Sequence, residues 1–107
     1  PTVRDPDGLA ASSRNTYLSP QERKKALVLS KALQKIKEMV EFQKITDAIM
    51  LIECGKKIIN SEGVELHYLE AVELENFGPV SVIKKNTGIL GAIKVGNVRL
   101  IDNVIWE

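Results

Sequence analysis

Residues 89–105, Ile89-Leu-Gly-Ala-Ile-Lys-Val95 followed by Gly96-Asn97 and Val98-Arg-Leu-Ile-Asp-Asn-Val-Ile105, decide the fold class. Two apolar runs of strand length flank a glycine-first pair, and that pair fits a two-residue hairpin turn, so the C-terminal third reads as two antiparallel strands. Upstream, Val64-Glu-Leu-His-Tyr-Leu-Glu-Ala-Val-Glu-Leu74 alternates at first. Val64, Leu66 and Tyr68 fall on one side and Glu65, His67 and Leu69 on the other, the pattern of an edge or half-exposed strand. Asn76-Phe-Gly-Pro79 supplies the turn that follows it.

The segment before these strands has the helical period. From Pro20 to about Phe42, Leu29, Leu33, Ile36 and Val40 recur at spacings of four, three and four. Ser19-Pro20-Gln21-Glu22 marks the start, with a capping hydroxyl, proline at the first helical position and glutamate three residues after the cap. A second helix is expected from Thr46 as N-cap to about Asn60, with Ala48, Ile49, Ile52, Gly55, Ile58 and Ile59 on its apolar side. Asn60-Ser-Glu-Gly63 stops it. The lysine and glutamate runs at 22–25, 35–38 and 56–57 read as solvated helix faces. The predicted architecture is α+β: two helices packed on a small, mainly antiparallel three-stranded sheet.

A chain of 107 residues accommodates one domain. Fifteen basic against fourteen acidic residues leave a formal charge of +1, which gives no footprint for a nucleic-acid partner. No apolar run reaches the roughly 18 residues of a membrane span. The lone Cys54 has no neighbouring Cys or His to share a metal and reads as a structural thiol. The expectation is a soluble, untargeted, cytoplasmic protein with no metal site of its own. Pro1-Thr-Val-Arg4 reads as a strand end cut in mid-course, so a fragment of a longer protein is expected.

Residues 4–18 concentrate turn formers, Asp5, Pro6, Asp7, Gly8, two serines and Asn15, with no steady period. A loop this long in a small domain is commonly functional. Within it, Ala11-Ser12-Ser13-Arg14 offers two hydroxyls and a guanidinium beside small side chains that let backbone amides approach an anion. The same composition also fits a solvated loop. His67 beside Glu65 has the form of half an acid–base pair, or of a histidine at the sheet rim. Arg99 and Asp102 in the last strand read as structural, through a charge pair or a hydrogen bond to backbone amides.

Pro1-Thr-Val-Arg4, Asp7-Gly-Leu-Ala-Ala-Ser-Ser-Arg-Asn15, Tyr17-Leu-Ser19 and Val95-Gly-Asn-Val-Arg-Leu-Ile-Asp-Asn103, in this order, resemble the C-terminal domain of the pantoate–beta-alanine ligase family. The resemblance covers essentially all 107 residues. It implies a lid that closes over a separate Rossmann-like N-terminal domain, the missing partner, which holds most of the active site. Residues 1–18 are then the hinge and ATP-contacting loop. The implied reaction joins pantoate to beta-alanine through pantoyl adenylate, with ATP cleaved to AMP and pyrophosphate, magnesium accompanying ATP, and the complete enzyme a homodimer. By the same resemblance Ala11, Ser12, Ser13 and Arg14 correspond to a KMSKS-like ATP loop, with Arg14, Ser12 and Ser13 steadying phosphate, and Val3 contacts the nucleotide through its backbone. Ala11 stands where the family usually has Met or Leu, which bears on how the loop is anchored. The lid alone is expected to be inactive. The alternative is a free-standing binding or oligomerisation module in which the helices or the Val64 strand edge dock a partner. An enzyme complete in this chain is disfavoured, because no nucleophile, base and substrate pocket assemble from its residues.

Overall fold

The computed structural model describes residues 3–107, and of Ser13 the backbone only. A short 3-10 helix, Ser13–Tyr17, precedes helix α1 (Pro20–Glu41) and helix α2 (Ala48–Ser61). Strands β1 (Glu65–Glu73), β2 (Thr87–Val95) and β3 (Val98–Trp106) then form one antiparallel sheet in the order β1-β2-β3. The expected fold class is therefore the observed one. The strand-end reading of Pro1 and Thr2 lies outside the described residues.

α1 begins as its sequence predicts. The Ser19 hydroxyl accepts the Glu22 N–H at 3.1 Å while the Ser19 N–H donates to Glu22 Oε1 at 2.9 Å, so two otherwise orphan donors are satisfied reciprocally. Its buried stripe is Ala26, Leu29, Leu33 and Ile36, widened by Val28, Ala32 and Met39. α2 departs from expectation at its start: Asp47, not Thr46, is the N-cap. The Asp47 carboxylate reaches both the Ile49 and Met50 N–H groups, at 3.0 and 3.4 Å, whereas the Thr46 carbonyl is engaged by the Ile83 N–H. The apolar face turns accordingly. Ala48, Leu51, Gly55 and Ile59 face inward, and Ile49, assigned to that face from the sequence, is 70% exposed.

Glycine allows the layers to close. A Cβ on Gly55 would lie 2.7 Å from Leu69 Cδ2 and 2.9 Å from Ile36 Cδ1, so α2 meets α1 and β1 there with no room for a side chain. A Cβ on Gly91 would meet Leu29 Cδ1 at 2.8 Å, the point where α1 lies on β2. Around these two contacts Ile36, Leu51, Ile59, Ile89 and Ile93 are fully buried, each stabilising the fold by about 1.5–3 kcal/mol relative to exposure.

The simple alternation read into β1 breaks at a bulge. Leu66 pairs with Ile93 but Tyr68 pairs with Ala92, leaving His67 as the extra residue. Leu66 and Tyr68, expected on one side, thus lie on opposite sides. After the bulge Leu69 and Ala71 face the helices, and Tyr68 and Glu70 the open side. The Gly96-Asn97 turn forms as expected, with Gly96 at φ +59° and Val95 paired to Val98.

The N-terminal stretch is more ordered than its turn-rich composition predicts. Arg4 bridges Ala10, the Ala11 N–H donates to the Val3 carbonyl at 2.7 Å, and the Asp5 N–H donates to the Leu9 carbonyl at 2.8 Å. Leu9 is buried in the core. Residues 3–11 thus double back as a closed turn plugged into the domain by one leucine.

Candidate functional site

The 3-10 helix that carries Arg14 starts on Ser12, whose Oγ accepts the Arg14 N–H at 3.2 Å and whose carbonyl accepts the Asn15 N–H at 3.1 Å. Ser12 still has its hydroxyl proton to donate. Asn15, only 5% exposed, holds the loop from beneath: its Nδ2 donates to the Ala10 carbonyl at 3.0 Å and to Asp5 Oδ2 at 3.2 Å.

Two arginines extend that base. Arg23, in the first turn of α1, donates to Asp5 Oδ2 at 2.7 Å and to both oxygens of Asp7, at 2.8 and 3.0 Å. These hydrogen bonds from Arg23 hold both carboxyls below the usual carboxylate range, with Asn15 adding to the effect on Asp5, and they raise the guanidinium further above its own ordinary value. Arg4 forks onto Asp102 of β3 at 2.6 and 2.9 Å and also donates to the Gly8 carbonyl at 3.0 Å, which the Ser30 hydroxyl meets from α1 at 3.1 Å. The turn is thereby fastened to α1 by Arg23 and Ser30 and to the sheet by Arg4.

Two expectations are corrected by this network. The charge partner of Asp102 is Arg4 rather than Arg99, while the expected hydrogen bond from a backbone amide is present, the Asn103 N–H donating to Asp102 Oδ1 at 2.7 Å. Arg23 and Glu22 are not part of a solvated run: the first binds Asp5 and Asp7, the second completes the helix cap. The partners of Arg23 lie 16 and 18 residues away in sequence, so no local pattern revealed them.

Above this base lies a cleft of about 360 Å³, walled by Ala10, Ala11, Ser12 and Arg14 on one side and by β3 from Arg99 to Asp102 on the other, with Leu29 and Ser30 of α1 at its floor. A neighbouring hollow of about 520 Å³ shares Arg14 and Arg99 with it and is lined also by Tyr17, Glu22 and Asn97. Val3, Ala11, Ser12 and Arg14, singled out from the sequence, lie together at this end of the domain. Ser12, Arg14 and Ala11 line the cleft, while Val3 stands outside its wall with its carbonyl bonded to Ala11. The side chain of Ser13 lies outside the described residues. Arg14 is exposed and, among the described residues, has no carboxylate partner.

His67 sits away from that network at the rim of the sheet, its Nε2 2.6 Å from Glu65 Oε2 and its Nδ1 accepting from Arg99 Nε at 3.2 Å. No serine or cysteine joins it, so it does not form a nucleophilic triad among the described residues. Cys54 is a free, half-buried thiol on α2. Among the described residues no group of three or more His, Cys, Asp or Glu side chains could hold a metal ion, and no helix is long and apolar enough to cross a membrane. The residues that sequence reasoning missed are Arg4, Asp5, Asp7, Asn15 and Arg23. The only local signal was the Asp5-x-Asp7 pair ahead of a helix with arginine in its first turn.

The arrangement defines a two-layer α+β unit whose end cleft presents hydroxyl and guanidinium donors with, among the described residues, no base to activate a hydroxyl, a surface suited to an anion. The sequence model of the family described as pantoate-beta-alanine ligase matches residues 1–105, and the chain belongs to that family, corresponding to its C-terminal part. It is 47% identical over 105 residues to the pantothenate synthetase of Thermosipho africanus and 44% identical over 108 residues to that of Koribacter versatilis. These matches cover 98% and 100% of this chain, respectively, but 37% of each relative. The crystal structure of pantothenate synthetase from Thermus thermophilus superposes with a TM-score of 0.87 at 38% identity, covering 97% of this chain and 37% of that one. The chain thus spans little more than a third of the length of the relatives it matches.

Proposed function

We propose that this domain is the lid of an ATP-dependent ligase that condenses pantoate with beta-alanine, and that the Ala11–Arg14 loop contacts the phosphates of ATP. One observation supports the loop assignment above all. Of the four arginines, Arg4 and Arg23 are spent on carboxylates and Arg99 is bonded to His67, while Arg14 stands exposed at a cleft beside Ser12 with no counterion among the described residues. A free guanidinium next to a hydroxyl donor, on a loop held rigid from below, suits a phosphate.

In the proposed reaction a carboxylate oxygen of pantoate attacks the α-phosphorus of ATP, the bond from that phosphorus to the oxygen bridging the α- and β-phosphates breaks, and pyrophosphate departs with the electron pair. Arg14, Ser12 and Ser13 stabilise the negative charge that builds on the leaving pyrophosphate, so their interaction is stronger in the transition state than with bound ATP. The amine of beta-alanine then attacks the acyl carbon and AMP leaves. Closure of the lid excludes water that would otherwise hydrolyse the adenylate. Magnesium arrives with ATP as part of the substrate. The cleft offers it no fitting ligand set, since its carboxylate, Asp102, is engaged by Arg4. Pantoate activation and amine binding belong to the N-terminal domain, so the isolated lid is inactive in this proposal, and an unpaired thiol at Cys54 suits a cytoplasmic setting.

The test is Arg14→Ala in the complete ligase. The expected result is a fall in kcat/KM for ATP of about 10²-fold, the scale for losing one donor to a developing oxyanion. An unchanged kcat/KM would refute the phosphate role. Hydrogen exchange across residues 4–15 in the complete enzyme tests the lid itself, with protection expected on ATP binding and no change counting against closure.

A further inference from the structure

We infer that Arg99 is a second phosphate-contacting residue, directed at the pyrophosphate end of the nucleotide from the wall of the cleft opposite Arg14. The inference rests on the phosphate reading of the Ser12–Arg14 loop and extends it to the conspicuous Val95–Asn103 stretch, which that reading leaves without a role. Arg99 lines both hollows that Arg14 lines, the cleft against the loop and the neighbouring hollow at Tyr17. The two guanidiniums therefore border both hollows, and neither has a carboxylate partner among the described residues. Glu22 also lines the second hollow, but its carboxylate is engaged by the Ser19 N–H at the helix cap, and two guanidiniums without carboxylate partners bordering these hollows attract a polyanion more strongly than either does alone.

Arg99 is also aimed rather than loose. Its Nε donates to His67 Nδ1 at 3.2 Å, and its guanidinium carbon lies 5.8 Å from the centroid of the Tyr68 ring. Because Nδ1 accepts from Arg99, the ring proton sits on Nε2, which donates to Glu65 Oε2 at 2.6 Å. The bulge at His67 brings this about: it places His67 and Tyr68 as neighbours at the sheet rim where a regular strand would send them to opposite faces. Nε is consumed by the histidine, and the two terminal nitrogens, the pair that grips a phosphate bidentately, are left to an incoming ligand.

The experiment uses the complete ligase that contains this chain, with inorganic pyrophosphate and AMP as separate inhibitors. Arg99→Gln is expected to weaken inhibition by pyrophosphate about tenfold, as for loss of one charge-assisted contact, with inhibition by AMP unchanged and partial recovery in Arg99→Lys. His67→Ala, which unseats the guanidinium without removing it, is expected to give a smaller weakening. If Arg14→Ala weakens pyrophosphate inhibition and Arg99→Gln does not, the inference fails and the loop assignment survives. If Arg14→Ala leaves pyrophosphate inhibition unchanged, the loop assignment itself fails. Equal weakening of pyrophosphate and AMP by Arg99→Gln would mean a general disturbance of the domain and would overturn the inference.

Discussion

Removing either partner of the Arg4–Asp102 pair should destabilise the domain unequally, and the structure sets the order. The Asp102 side chain is 3% exposed and that of Arg4 33%. Arg4→Met keeps the aliphatic stem but leaves a buried carboxylate that still accepts the Asn103 N–H. Breaking a buried pair in this way costs about 3–5 kcal/mol, and the retained hydrogen bond together with the partial exposure of the site places the cost near 3. Asp102→Ala leaves instead a guanidinium that is already a third in water and still bonded to the Gly8 carbonyl. Its cost should be about 1–2 kcal/mol, closer to that of a partly solvated pair. The double variant should cost less than the sum, because the second substitution removes a group already unpaired. Urea denaturation followed through the fluorescence of Trp106, the single tryptophan, measures all three. If Asp102→Ala proved as costly as Arg4→Met, or both fell below about 0.5 kcal/mol, the pair would not be the buried fastener that its geometry describes.

The Asp5 and Asp7 carboxyls are held low by Arg23, so they bind protons less readily folded than unfolded. Their contribution is fully present above the ordinary aspartate value near pH 4 and is lost as pH falls through the lowered values. The stability gap between the parent and Arg23→Gln should therefore narrow from pH 5 to pH 2, and a gap independent of pH would contradict this. Gly55→Ala gains about 1 kcal/mol in helix propensity, but the added methyl meets the buried Leu69 and Ile36. Overpacking of about 1–3 kcal/mol should win, and thermal melting should show a net loss. Ser19→Ala removes the hydroxyl half of the capping box and should cost about 1 kcal/mol by the same melt.

What was legible in the sequence was what local physics controls. The capping box at Ser19, the helical period through Ile36 and the glycine-first turn at Gly96 each depend on residues within a few positions, and each formed as expected. One error was local, at the start of α2, and the others came where a distant partner decides. Asp47 outcompetes Thr46 as a cap because its carboxylate serves two N–H groups. The bulge at His67 shows only in the pairing with β2, since nothing within Glu65–Leu69 marks an extra residue. At the candidate site, small and hydroxylated residues pointed to the Ser12–Arg14 loop, but the fastening beneath it spans separations of up to 98 residues, from Arg4 to Asp102.

That fastening also bears on Ala11, where the resemblance leads us to expect a larger apolar residue. A longer side chain would help pin the loop by packing, and its absence should loosen it unless something else supplies the anchorage. Here the anchorage is polar and lies one layer down. The Ala11 N–H is tied to Val3, Asn15 holds the Ala10 carbonyl, Arg23 gathers Asp5 and Asp7, and Arg4 binds the turn to β3. Ala11 itself is exposed, so the methyl that it presents to the cleft is not part of that support. In the proposed function the two jobs are divided among different side chains: Arg4 and Arg23 order the backbone before any ligand arrives, and Arg14 is left to meet the ligand. Ordering the loop in advance lowers the entropy lost on binding, so an uncommitted guanidinium on an ordered base does more for affinity than the same group on a free loop.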